Sequence, residues 1–274
     1  MEEKGMDRRE YHQYVWNSAL QYLDARADPD VVRLHLTPAA RANRHGLADV
    51  YRHMLESLTN RQGMPNAIGS IERLRPLFCD FDHTRTLERW SDDWKMLFDG
   101  IQDHLRHPPA MEEARSRKGS YWSIFCRGSL SAAQYLGRFD SLEGFVQYVH
   151  LFDERPETRP ALALLMSHEI FGYGFALACD FLKEIGFSNY AKPDTDVTYI
   201  FHSLELCGTN PLDVFRAVSL MAEDVGETAY TVDEAFWLIG SGNLYLKGIS
   251  FKTRKAKFVE QVRSQWRGMI DSSA

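Results

Sequence analysis

The chain has 274 residues, with 44% hydrophobic and 26% charged residues and a formal net charge of −6, all ordinary for a globular protein. No apolar run approaches the roughly 20 residues that a membrane-spanning helix needs, and the polar N-terminus MEEKGMDRRE lacks the apolar core of a signal peptide. We therefore expect a cytoplasmic protein without a membrane partner.

Helical periodicity dominates the sequence. Apolar residues recur at helical spacing from Tyr11 to Leu23 and from Leu47 to Leu58. The same pattern, bounded by glycine and proline, predicts helices at Ile68 to Phe78, Thr86 to Leu105, Ser120 to Leu136, Ser141 to Phe152, Pro160 to Ile170, Phe175 to Ile185 and Lys252 to Asp271. No stretch alternates with the period of two that is typical of strands. The sequence therefore predicts an all-α protein.

Charge and cysteine spacing restrict the candidate functions. The acidic net charge argues mildly against a nucleic-acid partner, for which basic domains are typical. The basic residues are clustered, however, and each cluster is either a face for a polyanion or simply solvated surface. One cluster comprises Arg115, Arg117 and Lys118, and the other comprises Lys247, Lys252, Arg254, Lys255 and Lys257. The four cysteines, Cys79, Cys126, Cys179 and Cys207, each lie in an apolar neighbourhood and match no zinc or iron–sulfur pattern, so we expect buried free thiols and no metal.

The most informative stretch is residues 171–197, FGYGFALACDFLKEIGFSNYAKPDTDV. Gly172 and Gly174 flank one residue in a turn that opens the helix starting at Phe175. Glycines permit positive φ, and the amides at the start of a helix suit an anion such as phosphate. Asp194 then precedes another helix. Taken singly, the turn also fits a plain connection between packed helices, and Asp194 also fits a helix N-cap.

The order of these two features, and the position of Asp194 twenty residues after Gly174, resemble the helix-hairpin-helix DNA glycosylases. In that family a hairpin of the form G-x-G-x-x-x-A binds a DNA phosphate, and a following D-x-[HN]-V motif supplies the catalytic aspartate. Gly172, Gly174 and Ala178 match the hairpin, whereas Asp194 and Val197 match the catalytic motif. The resemblance extends from Leu47 to Leu206, with sharp motifs only at 172–197.

The resemblance implies an all-α fold of two helical lobes with a DNA-binding cleft. One lobe would combine residues 1–46 with residues 205–274, and residues 47–204 would form the glycosylase core. The implied activity is excision of a modified base from double-stranded DNA by hydrolysis of the N-glycosidic bond. An ionised Asp194 would stabilise the positive charge that develops on the sugar. A non-catalytic helix-hairpin-helix module that only binds DNA is the alternative.

Further DNA contacts follow from the same resemblance. The phosphate-binding residues would be Gly172, Tyr173, Gly174 and Ala176. The segment after the helix that ends at Leu58 matches a family segment that enters the duplex where the base leaves, so Asn60 or Gln62 would fill the gap. A polar loop between helices is the other interpretation of that segment.

Two departures from the family pattern concern mechanism. Ala176 stands where bifunctional members carry the lysine that forms a Schiff base, so we expect a monofunctional enzyme that leaves an abasic site. Lys192 is either a substitute amine or a phosphate or solvent contact. Asp196 replaces the usual His or Asn and adds negative charge beside Asp194. We expect a monomer without a cofactor, apart from a candidate monovalent cation at the hairpin.

The base pocket is less well defined. Tyr121 and Trp122 are the candidates for stacking on an extruded base, and His168 precedes the hairpin and is a third candidate. Aromatic residues at helical spacing also fit a plain core. The target base stays open between an alkylated or deaminated base in genome repair and a hypermodified base in phage DNA.

Overall fold

The computed structural model describes residues 7–38, 44–61, 64, 68–107, 111 and 119–273. The described residues form 13 α-helices and one short antiparallel hairpin, in which Asn243 pairs with Ser250 and Leu244 pairs with Ile249. The predicted all-α fold is confirmed. None of the described helices is both long enough and apolar enough to cross a membrane.

The α-helices are numbered in chain order. They are α1 (Arg8–Asp24), α2 (Pro29–Leu36), α3 (Leu47–Thr59), α4 (His83–Trp90), α5 (Trp94–His104), α6 (Tyr121–Leu136), α7 (Leu142–Asp153), α8 (Arg159–Glu169), α9 (Phe175–Glu184), α10 (Thr195–Ser203), α11 (Pro211–Val225), α12 (Ala229–Ser241) and α13 (Lys255–Ser273). The strands are β1 (Asn243–Leu244) and β2 (Ile249–Ser250), and short 3₁₀ turns lie at Ile71–Leu74, Cys79–Phe81 and Tyr245–Lys247.

The chain forms two compact units. The terminal unit combines Met1–Ala42 with Gly186–Ala274, and the central unit is Asn43–Ile185. The residues from 186 to 204, which the sequence places with the central core, thus belong to the terminal unit. The physical reason is that α10 packs against α11 and α12, and its apolar residues Val197, Ile200 and Phe201 join the core of that unit.

Helix α6 is the centre of the central unit and packs against α3, α4 and α5. Gly128 makes one close approach possible, because a Cβ at that position would lie 2.6 Å from Leu58 Cδ2 and 2.8 Å from the carbonyl oxygen of Phe171. The buried Tyr51 hydroxyl donates a hydrogen bond to the Ser129 carbonyl at 3.0 Å, which ties α3 to α6. Helix α9 packs on α3 and α8 in the same unit.

Two predicted helices differ from those observed. The predicted helix from Thr86 to Leu105 is divided into α4 and α5, because Ser91 and Asp92 adopt φ of 49° and 57° and Asp93 caps a new helix. The predicted helix from Ile68 to Phe78 is only a 3₁₀ turn, which Ser70 caps. Gly69 precedes it at φ +67°. None of the four cysteines forms a disulfide, and the expected burial holds for Cys126 and Cys179, whereas Cys79 and Cys207 are only partly buried.

In the terminal unit, α12 is the most deeply buried helix, and its Asp233 and Glu234 side chains are only 1% and 2% exposed. Helix α12 contacts α1, α2, α10 and α11. Near its end, Gly240 lies against Asp196 in the first turn of α10, and a Cβ there would overlap the Asp196 Cβ and lie 2.7 Å from its Cγ. The absence of a side chain at Gly240 thus sets the distance between α10 and α12.

Substitution Gly240→Ala is expected to lower the free energy of unfolding by about 1–3 kcal/mol, because the added methyl group must push α10 away from α12. Urea denaturation followed by circular dichroism measures the change. Gly268→Ala is the matched control, since Gly268 lies in α13 with nothing within 4 Å of an added Cβ. The free energy of unfolding of this control variant should rise by up to about 1 kcal/mol, because alanine favours the helix more than glycine does. Equal stability of the two variants would contradict the packing argument.

Candidate functional site

One candidate site, in the central unit, is the turn between α8 and α9, residues 170–174, here called the glycine turn. The amide of Tyr173 donates to the carbonyl of Ile170 at 3.1 Å, which closes a β-turn with Gly172 at its third position. Gly172 has φ +82°, the value that a type II turn requires there. Gly174 is extended, at φ −110° and ψ 170°, and directly precedes α9. Of the two glycines, only Gly172 is needed for its backbone conformation.

The glycine turn is packed tightly on one side. A Cβ at Gly172 would lie 3.1 Å from Ile124 Cγ2 and 3.3 Å from Leu58 Cδ1. Tyr173 is 6% exposed, and its hydroxyl donates to the Met54 carbonyl at 2.6 Å. Because both its amide and its hydroxyl have partners within the protein, Tyr173 holds the turn in place. Its expected contact with DNA stays a prediction.

The other side of the turn is open. Gly174 is the N-cap of α9, no side chain caps this helix, and nothing lies within 4 Å of a Cβ built on Gly174. Ala176 lies in the first turn of α9 and is partly exposed, whereas Ala178 is buried. The first amides of a helix have no partners within the helix, and its dipole places partial positive charge there. This end of α9 therefore has the chemistry to hold an anion.

Two arginines that sequence analysis did not single out lie at the glycine turn. Arg61 Nη1 donates to the Gly172 carbonyl at 3.4 Å, and the Arg127 guanidinium lies 3.6 Å from the ring centroid of Phe171. A third, Arg138, pairs with Glu169 at 2.8 Å and is neutralised by it. Arg61 and Arg127 thus add positive charge close to the start of α9.

Asn60, the C-cap of α3, is exposed, but its side-chain amide is already engaged. It donates to Asp180 Oδ2 at 2.9 Å, and Asp180 is a carboxylate on α9 that is only 3% exposed. Asn60 therefore provides a hydrogen bond to a buried acidic group. To enter a DNA duplex as a wedge, its side chain would have to give up this hydrogen bond to Asp180. Gln62, the other predicted wedge residue, lies outside the described residues.

A second candidate site, in the terminal unit, is the segment from Lys192 to Asp196, here called the aspartate loop. Asp194 is the N-cap of α10, and its Oδ1 accepts hydrogen bonds from the amides of Asp196 and Val197, both at 2.9 Å. Its side chain is partly exposed. Two amide donors and the helix dipole favour the charged carboxylate. The N-cap and catalytic interpretations of Asp194 are thus chemically compatible.

The aspartate loop is held at both ends. The Lys192 amide donates to Asp233 Oδ2 on α12 at 2.9 Å, and the Asp194 amide donates to the Lys192 carbonyl at 2.8 Å. Asp196 forms an ion pair with Lys255, whose ammonium group also lies 5.1 Å from the Tyr199 ring centroid. The negative charge that Asp196 adds beside Asp194 is therefore offset by a lysine of α13.

The predicted base-pocket residues differ in their exposure to solvent. Trp122 is 5% exposed and packs at 6.3 Å, centroid to centroid, against Phe125, so it belongs to the core. Tyr121 is 42% exposed, and His168 is exposed in the last turn of α8. Among the described residues, no hydrogen bond or ring contact joins His168 to either aromatic residue. Tyr121 is the candidate whose ring is accessible for stacking.

The basic groups are only partly described. Arg115, Arg117 and Lys118 lie outside the described residues. Lys252, Arg254 and Lys257 are exposed around the start of α13, whereas Lys255 is partly buried by its pair with Asp196. The terminal unit therefore presents three unshielded cations at one helix start.

Comparison with family models, curated proteins and solved structures found no match to this chain. The resemblance carried by residues 172–197 stays a prediction from the sequence.

Substitution Gly172→Ala is expected to lower the free energy of unfolding by about 2 kcal/mol, because the methyl group meets Ile124 and Leu58 at a φ that disfavours side chains. Gly174→Ala should change it by less than about 0.5 kcal/mol, since that position is open and extended. Thermal and urea denaturation of the two variants provide the comparison. An equal loss in both would show that the turn is not built around Gly172.

Proposed function

We propose that this protein is a monofunctional DNA glycosylase that excises a modified base and leaves an abasic site. The observation that carries the proposal is the fixed carboxylate of Asp194, which two backbone amides hold at the start of α10. It follows the glycine turn at the spacing that resembles the helix-hairpin-helix glycosylases. A module that only binds DNA needs at this position only a helix cap, which an uncharged asparagine or serine also provides.

The glycine turn supports a phosphate-binding role. Its open side offers the uncapped amides of α9, and Arg61 and Arg127 lie at the same turn. Helix N-termini and arginines are standard partners of DNA phosphates, and such contacts position a protein without reading the sequence. The acidic net charge is compatible with this role, because the local charge governs contact at distances within a Debye length of roughly 8–10 Å.

The aspartate loop supports the chemical step. Cleavage of an N-glycosidic bond builds positive charge on the sugar, and a preorganised anion stabilises that charge without reorganisation during the reaction. The N-glycosidic bond breaks with its electron pair leaving on the base, and water adds to the anomeric carbon. The proton that this water loses is taken up by the departing base. Ala176 provides no amine for a Schiff base, so the strand stays intact until alkali cleaves the abasic site.

The proposed substrate is duplex DNA that contains a modified base, either alkylated or deaminated, or hypermodified as in phage genomes. Extrusion of the base exposes it for stacking, for which Tyr121 offers an accessible ring. A substrate of this kind places the protein with the nucleoid in the cytoplasm.

The decisive experiment incubates the purified protein with a panel of duplexes that carry single modified bases, followed by alkali to reveal abasic sites. We expect base release from one member of the panel. Asp194→Asn should fold normally and keep DNA binding, because asparagine also caps helices, but should lose at least about 100-fold in the rate of excision.

Asp28→Asn is the control for this variant, because Asp28 caps α2 in the same way, by accepting from the Asp30 amide at 2.8 Å. It should excise at the parental rate. If the rate of excision by Asp194→Asn were within a few-fold of the parental rate, Asp194 would be only a helix cap and not a catalytic residue. Binding without base release from any duplex would identify the non-catalytic module instead, and strand breaks without alkali would contradict monofunctional chemistry.

The double substitution Arg61→Gln with Arg127→Gln should weaken binding to all duplexes alike, by about 10-fold. The slope of log affinity against log salt concentration should also become shallower, by about the amount that two lost phosphate contacts predict. Fluorescence anisotropy over a range of salt concentrations measures both effects. Arg85→Gln removes an exposed arginine of α4 in the same unit and serves as the control. If the double variant binds like this control, the glycine turn is not the phosphate contact. Neutralising Lys252, Arg254, Lys255 and Lys257 then tests the start of α13.

A further inference from the structure

The terminal unit contains a cavity of about 410 Å³ that the proposed function does not use. It lies between α1, α11, α13 and the residues that follow α10. Its apolar lining includes Leu204, Leu206, Ala217, Leu220 and Ile270. The aromatic rings of Tyr11 and Trp266 also line it, with their centroids 5.0 Å apart. A volume and a lining of this kind suit a small organic molecule.

Three arginines line the same cavity, and two of them are neutralised. Arg8 forms a two-pronged pair with Asp224, at 3.0 and 3.2 Å. Arg263 donates to Glu205, the acidic residue of the lining, and to the Ser203 carbonyl. These contacts leave Glu205 and Asp224 without spare negative charge.

Arg267 is different. Its side chain is exposed, and it has no ion pair or hydrogen bond to any residue in the described part of the chain. The neighbouring His12 is 5% exposed, and burial holds the pKa of its imidazole below the ordinary value, so it adds no charge near neutral pH. The lining therefore carries one uncompensated positive charge at Arg267, beside an aromatic and aliphatic surface.

From this arrangement we propose that the cavity binds an organic monoanion with a flat aromatic body, whose carboxylate pairs with Arg267 and whose ring lies against Tyr11 and Trp266. One spare charge matches a monoanion. The aromatic rings favour a planar ligand over a flexible chain. This site is independent of the proposed glycosylase function, because it lies entirely in the terminal unit and includes no residue of the aspartate loop.

The test uses 2-naphthoate as the monoanion and 2-naphthamide as its neutral counterpart, with binding measured by titration calorimetry on the full chain. We expect saturable binding of one naphthoate per chain, about 10-fold tighter than the amide. Arg267→Gln should lower naphthoate affinity about 10-fold and leave the amide unchanged. Ala217→Phe should abolish binding of both ligands by filling the cavity.

Arg216→Gln is the matched control, because Arg216 is an exposed arginine of α11 that does not line the cavity. It should bind naphthoate like the parent. The proposal is overturned if naphthoate does not bind, if Arg267→Gln and Arg216→Gln behave alike, or if Ala217→Phe leaves naphthoate binding intact. Tighter binding of the dianion 2-naphthyl phosphate than of naphthoate would overturn the assignment of a single spare charge.

Discussion

Every α-helix begins with amide groups that lack hydrogen-bond partners within the helix, and in most of the described helices a neighbouring side chain provides the missing acceptor. Among the described helices, a side chain of Asp, Asn, Ser or Thr accepts from these amides at nine helix starts. Three helices, α3, α8 and α9, have no such acceptor. The uncapped start of α9 stands out because it follows a glycine turn with arginines around it.

The starts of α9 and α10 differ in this respect. No side chain caps α9, and Arg61 and Arg127 lie at the turn before it. At α10 the amides of Asp196 and Val197 donate to Asp194, which fixes the direction of that carboxylate. The proposed function assigns a phosphate to the start of α9 and the stabilisation of positive charge on the sugar to the carboxylate at the start of α10.

Helix positions followed well from the sequence, because amphipathic periodicity and cap residues are local signals. The predicted Leu47–Leu58 segment matches α3 to within one residue, and Asp194 was placed correctly before α10. The division of Thr86–Leu105 was missed because the apolar period continues across Ser91 and Asp92. Contacts between distant residues were also missed, since no local pattern encodes the bond from Arg61 to Gly172 or from Lys192 to Asp233.

The division of the chain has a consequence for synthesis. The central unit is continuous in sequence, so it can fold as soon as Ile185 has emerged from the ribosome. Helix α1 cannot do the same, because Val15, Ala19 and Leu23 are buried in a core completed by α11, α12 and α13. During translation the apolar face of α1 thus stays exposed while the whole central unit is synthesised. The amount of folded protein in the cell should then depend on how well chaperones protect that face until α11 to α13 have been made, even when the folded protein is stable.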